Sequence, residues 1–201
     1  PHKFTWYSGD PLEYPGLLAG RKIVGAEGHG AFIDVLLDDD IHLTLSDGVN
    51  LRLYGPEADV PAKYQLLLTL DDGRFLVFTV AMYGGILAFR GDLDNPYYRG
   101  ARTKCSPLEE RFDAAYFGQL WAGTKQNLSA KAFLATEQRI PGLGNGVLQD
   151  ILFRAGIHPR RRLATLGDSD AERLFTTLKS LLREMTGRGG RDTEKDLFGN
   201  A

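Results

Sequence analysis

The sequence predicts an α+β protein, with an antiparallel β-sandwich or barrel over residues 1–100, a helical domain over 101–190 and a loop or linker over 191–201. Three observations carry that prediction. The first half is made of short apolar or alternating runs punctuated by turn residues. From Ser106 onward the apolar residues recur at helical spacing behind capping residues. The charge divides along the same line. Residues 1–98 hold 7 Lys/Arg against 14 Asp/Glu, a net of -7, and the remainder hold 17 against 12, a net of +5. A basic half joined to an acidic one hints at a polyanion partner that the overall net charge of -2 conceals.

The strand-sized runs are residues 31–37, 41–45, 64–70 and 75–80. Between them stand Asp38-Asp39-Asp40, Asp47-Gly48 and Asp71-Asp72-Gly73, residue types that reverse a chain. Asp72-Gly73 predicts a hairpin, because glycine accepts the positive φ of a tight turn. A loop rich in Gly, Asp, Asn and Pro follows over 91–100. Asp113 predicts the N-cap of a helix through Tyr116, Phe117, Leu120 and Trp121, and Ser129 caps a second with Phe133 and Leu134 inward. Ser169, with Glu172 three residues later, predicts a capping box. It opens a long helix whose apolar face runs through Leu174, Phe175, Leu178, Leu181, Leu182 and Met185 until Gly187 stops it.

Several classes are excluded by composition. Hydrophobic residues make up 43% of the chain, yet no apolar run approaches the roughly 20 residues of a membrane span. No signal peptide is visible. Cys105 is the single cysteine, so a disulfide framework and a cysteine-built zinc site are both ruled out, and a reducing cytoplasm is expected. No metal site and no cofactor are expected in this chain, which reads as a monomer.

The stretch richest in chemistry is Gln138-Arg139-Ile140-Pro141-Gly142-Leu143-Gly144-Asn145, which leads into a helix with Val147, Ile151 and Leu152 inward. Two glycines around one apolar residue make a tight turn that ends at a helix N-terminus. There the free N–H groups and the helix dipole favour an anion, and the missing side chains let a phosphate approach the backbone. Asn145 adds an amide donor. The helix ends at Gly156, and His158-Pro159 turns the chain into Arg160-Arg161-Arg162. Taken alone, the fragment from Ile140 to Gly144 also fits a plain helix-hairpin-helix, which the tail Ala155-Gly156-Ile157-His158-Pro159 disfavours.

The whole string, Gly142 to Asn145 and then Phe153 to Pro159, resembles the helix–two-turn–helix signature of the formamidopyrimidine-DNA glycosylase / endonuclease VIII family. Lys131 matches that family's lysine before the turn. Pro107-Leu108 with Phe112 match its approach to the first helix, and Arg188-Gly189-Gly190 through Lys195-Asp196 match a later loop. The resemblance implies double-stranded, damaged or abasic DNA as partner. It implies Lys131, Gly142, Gly144, Asn145, Arg160, Arg161, Arg191 and Lys195 as DNA-binding residues, with residues 188–196 as the loop that closes over an everted base. It also implies base-excision chemistry in which an N-glycosylase with abasic-site lyase activity removes damaged bases, in the cytoplasm of a bacterium. Zinc is implied for the full-length family member.

Departures from the family pattern are equally specific. The family nucleophile is an N-terminal proline followed at once by glutamate, whose secondary amine attacks the sugar C1′. Here Pro1 is followed by His2-Lys3, and the segment through Trp6 resembles family sequence some thirty residues further in, so Pro1 is rejected and no catalytic residue is assigned. The start without Met and the stop at Ala201 predict a fragment that lacks the first helix and a zinc finger. A family lysine near the second strand falls at Gly30 or Ala31, and a void-filling segment reads Ser46-Asp47-Gly48-Val49. Where members carry an Arg and a Phe for the orphaned base, this chain has Met82 and Tyr83, the candidates for filling the hole that base eversion leaves. A non-catalytic damage binder that keeps the clamp without the chemistry is the alternative.

Overall fold

A computed structural model describes residues 4–190 and 195–200. They fall into two compact units, the first comprising residues 1–28, 32–93 and 191–201, the second 29–31 and 94–190.

The first unit is a two-sheet sandwich. Strands β1 (Thr5–Tyr7), β2 (Ile23–His29), β3 (Phe32–Leu37), β4 (Ile41–Ser46) and β8 (Gly84–Arg90) form a sheet in the order β1-β8-β4-β3-β2. Strands β5 (Val49–Tyr54), β6 (Leu66–Thr69) and β7 (Phe75–Val80) form a second, in the order β5-β7-β6. Alternation along each strand turns Val35, Leu37, Leu43, Leu45 and Ile86 of one sheet toward Leu76, Phe78 and Val80 of the other. A short helix, α1 (Tyr14–Leu18), adds Tyr14 and Leu18 to that core. The Tyr14 hydroxyl accepts from the Ala88 N–H at 3.1 Å and donates to the Ile86 carbonyl at 2.9 Å, which ties the helix to β8. The expected hairpin joins β6 to β7, with Gly73 at φ +83° and the Leu70 N–H on the Arg74 carbonyl at 2.8 Å.

The sandwich departs from the sequence reading in one pairing. β1 runs parallel to β8, with Trp6 opposite Gly85, while the other registered pairs are antiparallel. Residues 195–200, read from the sequence as linker, form a turn docked on this unit. The Leu53 N–H donates to the Leu197 carbonyl at 2.9 Å, and the Leu197 side chain packs against the core.

The second unit is helical: α2 (Pro96–Thr103), α3 (Ala114–Ala122), α4 (Ala130–Ala135), α5 (Asn145–Arg154) and α6 (Asp168–Gly187). Its core gathers Phe112, Phe117, Phe133, Leu148, Ile151 and Leu152 around the Leu174, Leu178 and Leu181 stripe of α6. Helix α2 crosses residue 100 because Asn95 caps it, its side chain accepting from the N–H groups of Tyr97 and Tyr98. Asp113 and Ser129 cap α3 and α4 as the sequence predicts. The capping box of α6 lies elsewhere. Gly167 is the N-cap, and the Asp170 carboxylate accepts its N–H at 3.3 Å, so Ser169 and Glu172 stand inside the helix as its second and fifth residues.

Candidate nucleic-acid interface

Helix α4 is only six residues long, and the chain leaves it through two consecutive non-glycine residues in the left-handed region, Glu137 at φ +59° and Gln138 at φ +47°. Such a pair persists only where neighbours over-determine it. Two cations do so. The Lys104 ammonium donates to the carbonyls of Glu137 at 2.7 Å and Gln138 at 2.9 Å. Arg139 is buried, 8% exposed. Its guanidinium donates to the Thr136 carbonyl at 3.0 Å, to the Thr136 Oγ1 at 2.9 Å and to the Glu137 carboxylate at 2.6 Å. A cation placed on the last carbonyls of a helix also satisfies the end of its dipole. Burial pushes the Lys104 amine below its ordinary value, the Arg139 charge adds to that, and the Glu137 carboxylate opposes it.

The clamped turn delivers Pro141, Gly142, Leu143 and Gly144 to the start of α5. Gly142 has φ +78°, and a Cβ there would stand 2.8 Å from the carbonyl carbon of Gly30. Gly30 has φ +58°, and its Cβ would stand 3.0 Å from Pro141 Cβ. Two glycine turns therefore meet backbone on backbone, which explains why no lysine side chain can occupy position 30. Gly144 is the N-cap of α5 and no side chain caps it. The Leu148 N–H takes the Gly144 carbonyl at 3.0 Å, leaving the N–H groups of the first turn without helical acceptors. Asn145 is the first helical residue and is exposed.

Lys131 and Arg160 are brought together. After α5, Gly156 at φ +65° turns the chain, and His158 Nδ1 accepts the Arg160 N–H at 3.2 Å. The segment then crosses the start of α4. The Lys131 N–H donates to the Pro159 carbonyl at 3.0 Å, and the Ala130 N–H to the Arg161 carbonyl at 2.8 Å. Both Lys131 and Arg160 are exposed and neither makes an ion pair among the described residues. Arg161 differs, because its Nη2 donates to the Thr165 carbonyl at 2.7 Å and pairs with Asp170 at 3.3 Å.

The other sequence-derived candidates lie apart from this cluster in the chain. Lys195 is exposed and belongs to the first unit, as do Met82 and Tyr83 on the β7–β8 turn. Pro1 and Arg191 lie outside the described residues. Sequence reasoning missed Lys104, whose acceptors are main-chain oxygens some thirty residues away and leave no mark in the sequence. It quoted Arg139 inside the motif without a role. Among the described residues no group of three His, Cys, Asp or Glu stands close enough to hold a metal ion, and no helix is long and apolar enough to cross a membrane.

Comparison with known proteins places this geometry. Residues 105–196 match the sequence family described as "Formamidopyrimidine-DNA glycosylase H2TH domain". The formamidopyrimidine-DNA glycosylase of Acidiphilium cryptum is 27% identical over 181 residues, spanning 90% of this chain and 65% of the relative. That of Geobacter sulfurreducens is 28% identical over 183 residues, spanning 89% and 66%. The chain thus spans a little under two thirds of those relatives. Among solved structures, a complex of the Lactococcus lactis Fpg with DNA containing an abasic site superimposes with a TM-score of 0.76 at 22% identity, covering 92% of this chain and 68% of that one. The MutM (Fpg) protein of Thermus thermophilus gives 0.70 at 26% identity, covering 87% and 64%. The sandwich followed by a helix–two-turn–helix domain is the fold they share with this chain.

Proposed function

We propose, from the premise that the chain belongs to the formamidopyrimidine-DNA glycosylase / endonuclease VIII family, that it holds damaged or abasic duplex DNA for base excision. The family activity, removal of a damaged base by an N-glycosylase with abasic-site lyase activity, is the reaction this chain serves. One observation carries the reading: the uncapped start of α5, with Asn145 at its first position, stands in the same unit as the free cations Lys131 and Arg160.

Each part has a physical role in gripping a phosphate. The first-turn N–H groups of α5 and the helix dipole present a fixed partial positive charge that needs no rearrangement on binding. Gly142 and Gly144 expose the backbone, so the phosphate oxygens reach those groups directly. Asn145 contributes a side-chain donor, and Lys131 and Arg160 contribute full charges that displace counterions. These contacts fix position and carry no base information. Lys195 and Arg191 add phosphate contacts from the later loop in this reading, and Met82 and Tyr83 fill the space left by an everted base. Arg161, engaged with Asp170, serves the fold more than the DNA.

The described residues do not fit a zinc site, since the single cysteine is buried and no three ligating side chains converge. No step is therefore routed through a metal.

The test is a salt series of dissociation constants on abasic-site duplex. Lys131→Ala and Arg160→Ala are each expected to flatten the slope of log K against log salt by about one, the signature of one lost phosphate contact. Arg161→Ala is expected to leave it unchanged. Slopes that stay as in the wild type for both Lys131→Ala and Arg160→Ala contradict the proposal.

A further inference from the structure

Of the five asparagines in the chain, only Asn145 is followed by glycine. That dipeptide has a chemistry of its own. The backbone nitrogen after an asparagine can attack the side-chain amide carbon, and glycine alone has no Cβ to hinder the approach. The other four asparagines are guarded. Asn50 lies in a paired strand, opposite Thr79. Asn95 precedes proline, which has no N–H to lose, and its side chain caps α2. Asn127 precedes the bulkier Leu128, and the Asn200 amide donates to the Asp196 carboxylate at 3.1 Å.

Asn145 has no such guard. It and Gly146 are the first two residues of α5, and both are exposed, so water reaches them. Among the described residues no hydrogen bond holds the Asn145 side chain. The Gly146 N–H belongs to the first turn and has no helical acceptor. Beyond its chain neighbours and the helix backbone, nothing stands within 4 Å of where a Cβ on Gly146 would lie. Glycine also holds a helix poorly, so the opening of the first turn that brings its nitrogen onto the amide carbon costs little. The positive end of the helix dipole favours the negative charge that develops there.

We propose that Asn145-Gly146 is a self-modification site, at which the chain converts its own phosphate-gripping amide into a carboxylate. The Gly146 nitrogen loses its proton and bonds to the Asn145 Cγ. The Cγ–Nδ2 bond breaks, and the departing nitrogen takes up a proton and leaves as ammonia. Water then opens the succinimide at one carbonyl or the other, which yields aspartate or isoaspartate. Water is the only co-reactant. The chemical step stands on the dipeptide and its surroundings, and its consequence rests on the DNA-holding reading above. A donor aimed at a phosphate becomes an anion that repels it. The same anion suits the start of a helix, so the grip is lost while the fold remains.

The test ages the free protein at mildly alkaline pH and follows its peptides by mass spectrometry, with binding to abasic-site duplex measured on the same samples. The peptide holding Asn145 is expected to gain the mass of an amide turned carboxylate ahead of those holding Asn50, Asn127 and Asn200, and to divide into aspartate and isoaspartate forms. Gly146→Ala is expected to slow this at least about fivefold, since alanine holds a helix roughly that much better and crowds the attack. Affinity should fall in step with the modified fraction, and saturating abasic-site duplex should protect the site. Asn145→Asp is expected to bind at least about tenfold more weakly, the scale of a lost hydrogen bond to a charged group, with a Tm no lower than that of the wild type. Modification at position 145 no faster than at the other three, or a rate indifferent to Gly146→Ala, overturns the proposal. Modification with no loss of affinity and no protection by DNA upholds the self-modification and sinks the DNA-holding reading instead.

Discussion

Lys104 and Arg139 hold a backbone conformation that the residues in the turn disfavour, and the start of α5, the proposed phosphate grip, follows directly from that turn. Lys104 points at carbonyls rather than at solvent, so its loss is expected to act through the turn. Lys104→Met should weaken binding to abasic-site duplex about three- to tenfold, the net scale of an ordinary hydrogen bond, while leaving the salt slope unchanged. Lys104→Arg should recover part of the loss. A slope flattened by one in Lys104→Met would instead make Lys104 a phosphate ligand. At this scale the sequence is informative where a side chain's role follows from a local string. The turn through Gly142 and Gly144 into α5 is legible because glycines before a helical run admit the positive φ that Gly142 adopts. The run Arg160-Arg161-Arg162 reads as three equivalent cations, and only the tertiary fold separates Arg161, through Asp170, from Arg160.

Helices were more legible than strands, for reasons visible in particular elements. The α6 stripe of Leu174, Leu178 and Leu181 repeats at helical spacing over 20 residues, too long a pattern to be misread. Strand β2 carries Gly, Ala and Glu on a nearly fully exposed edge, so it shows no alternation. Strand β8 opens with Gly84-Gly85, which carry no strand signal, because the close approach of Val49 and Ser46 that calls for them cannot be seen in sequence. The α6 cap lies two residues before the expected one because Ser169-x-x-Glu172 and Gly167-x-x-Asp170 both offer an acidic partner at the third helical position. The ion pairs with Arg161 and Arg173 favour the second. The hydrogen bond from Arg173 holds the Asp170 carboxyl below its ordinary value against the cost of desolvation, helped by the Gly167 N–H and by the charges of Arg161 and Arg173. A lowered carboxylate pKa contributes stability that is fully present above the unfolded value of about 4 and is lost as the pH falls through the folded one. Asp170→Asn is therefore expected to lower Tm by a constant amount between pH 5 and pH 8 (roughly the plateau for an ordinary carboxylate), and the gap should close on acidification below it. A gap that widens toward acid would contradict the assignment.

Over the whole molecule, the partition of charge was legible from counting residues, and the partition of structure nearly so. An acidic sandwich and a basic helical unit follow from the net charges of -7 and +5 on the two parts of the chain. The loan of residues 29–31 to the helical unit was not legible, since Gly30 supports Gly142 across more than a hundred residues of sequence. That support and the Lys104–Arg139 clamp converge on one small surface, the first turn of α5, and the central claim is that this surface grips a backbone phosphate. The most direct measurement is a double-mutant cycle between Asn145→Ala and a single uncharged methylphosphonate, moved linkage by linkage through the abasic strand. Asn145→Ala alone is predicted to weaken binding by about 1.5–3 kcal/mol, the range for a hydrogen bond to a charged group. At one linkage the two losses should collapse into one, the combined change binding no worse than the weaker of the two single changes. Losses that add at every linkage would contradict the claim and leave the turn a structural feature only.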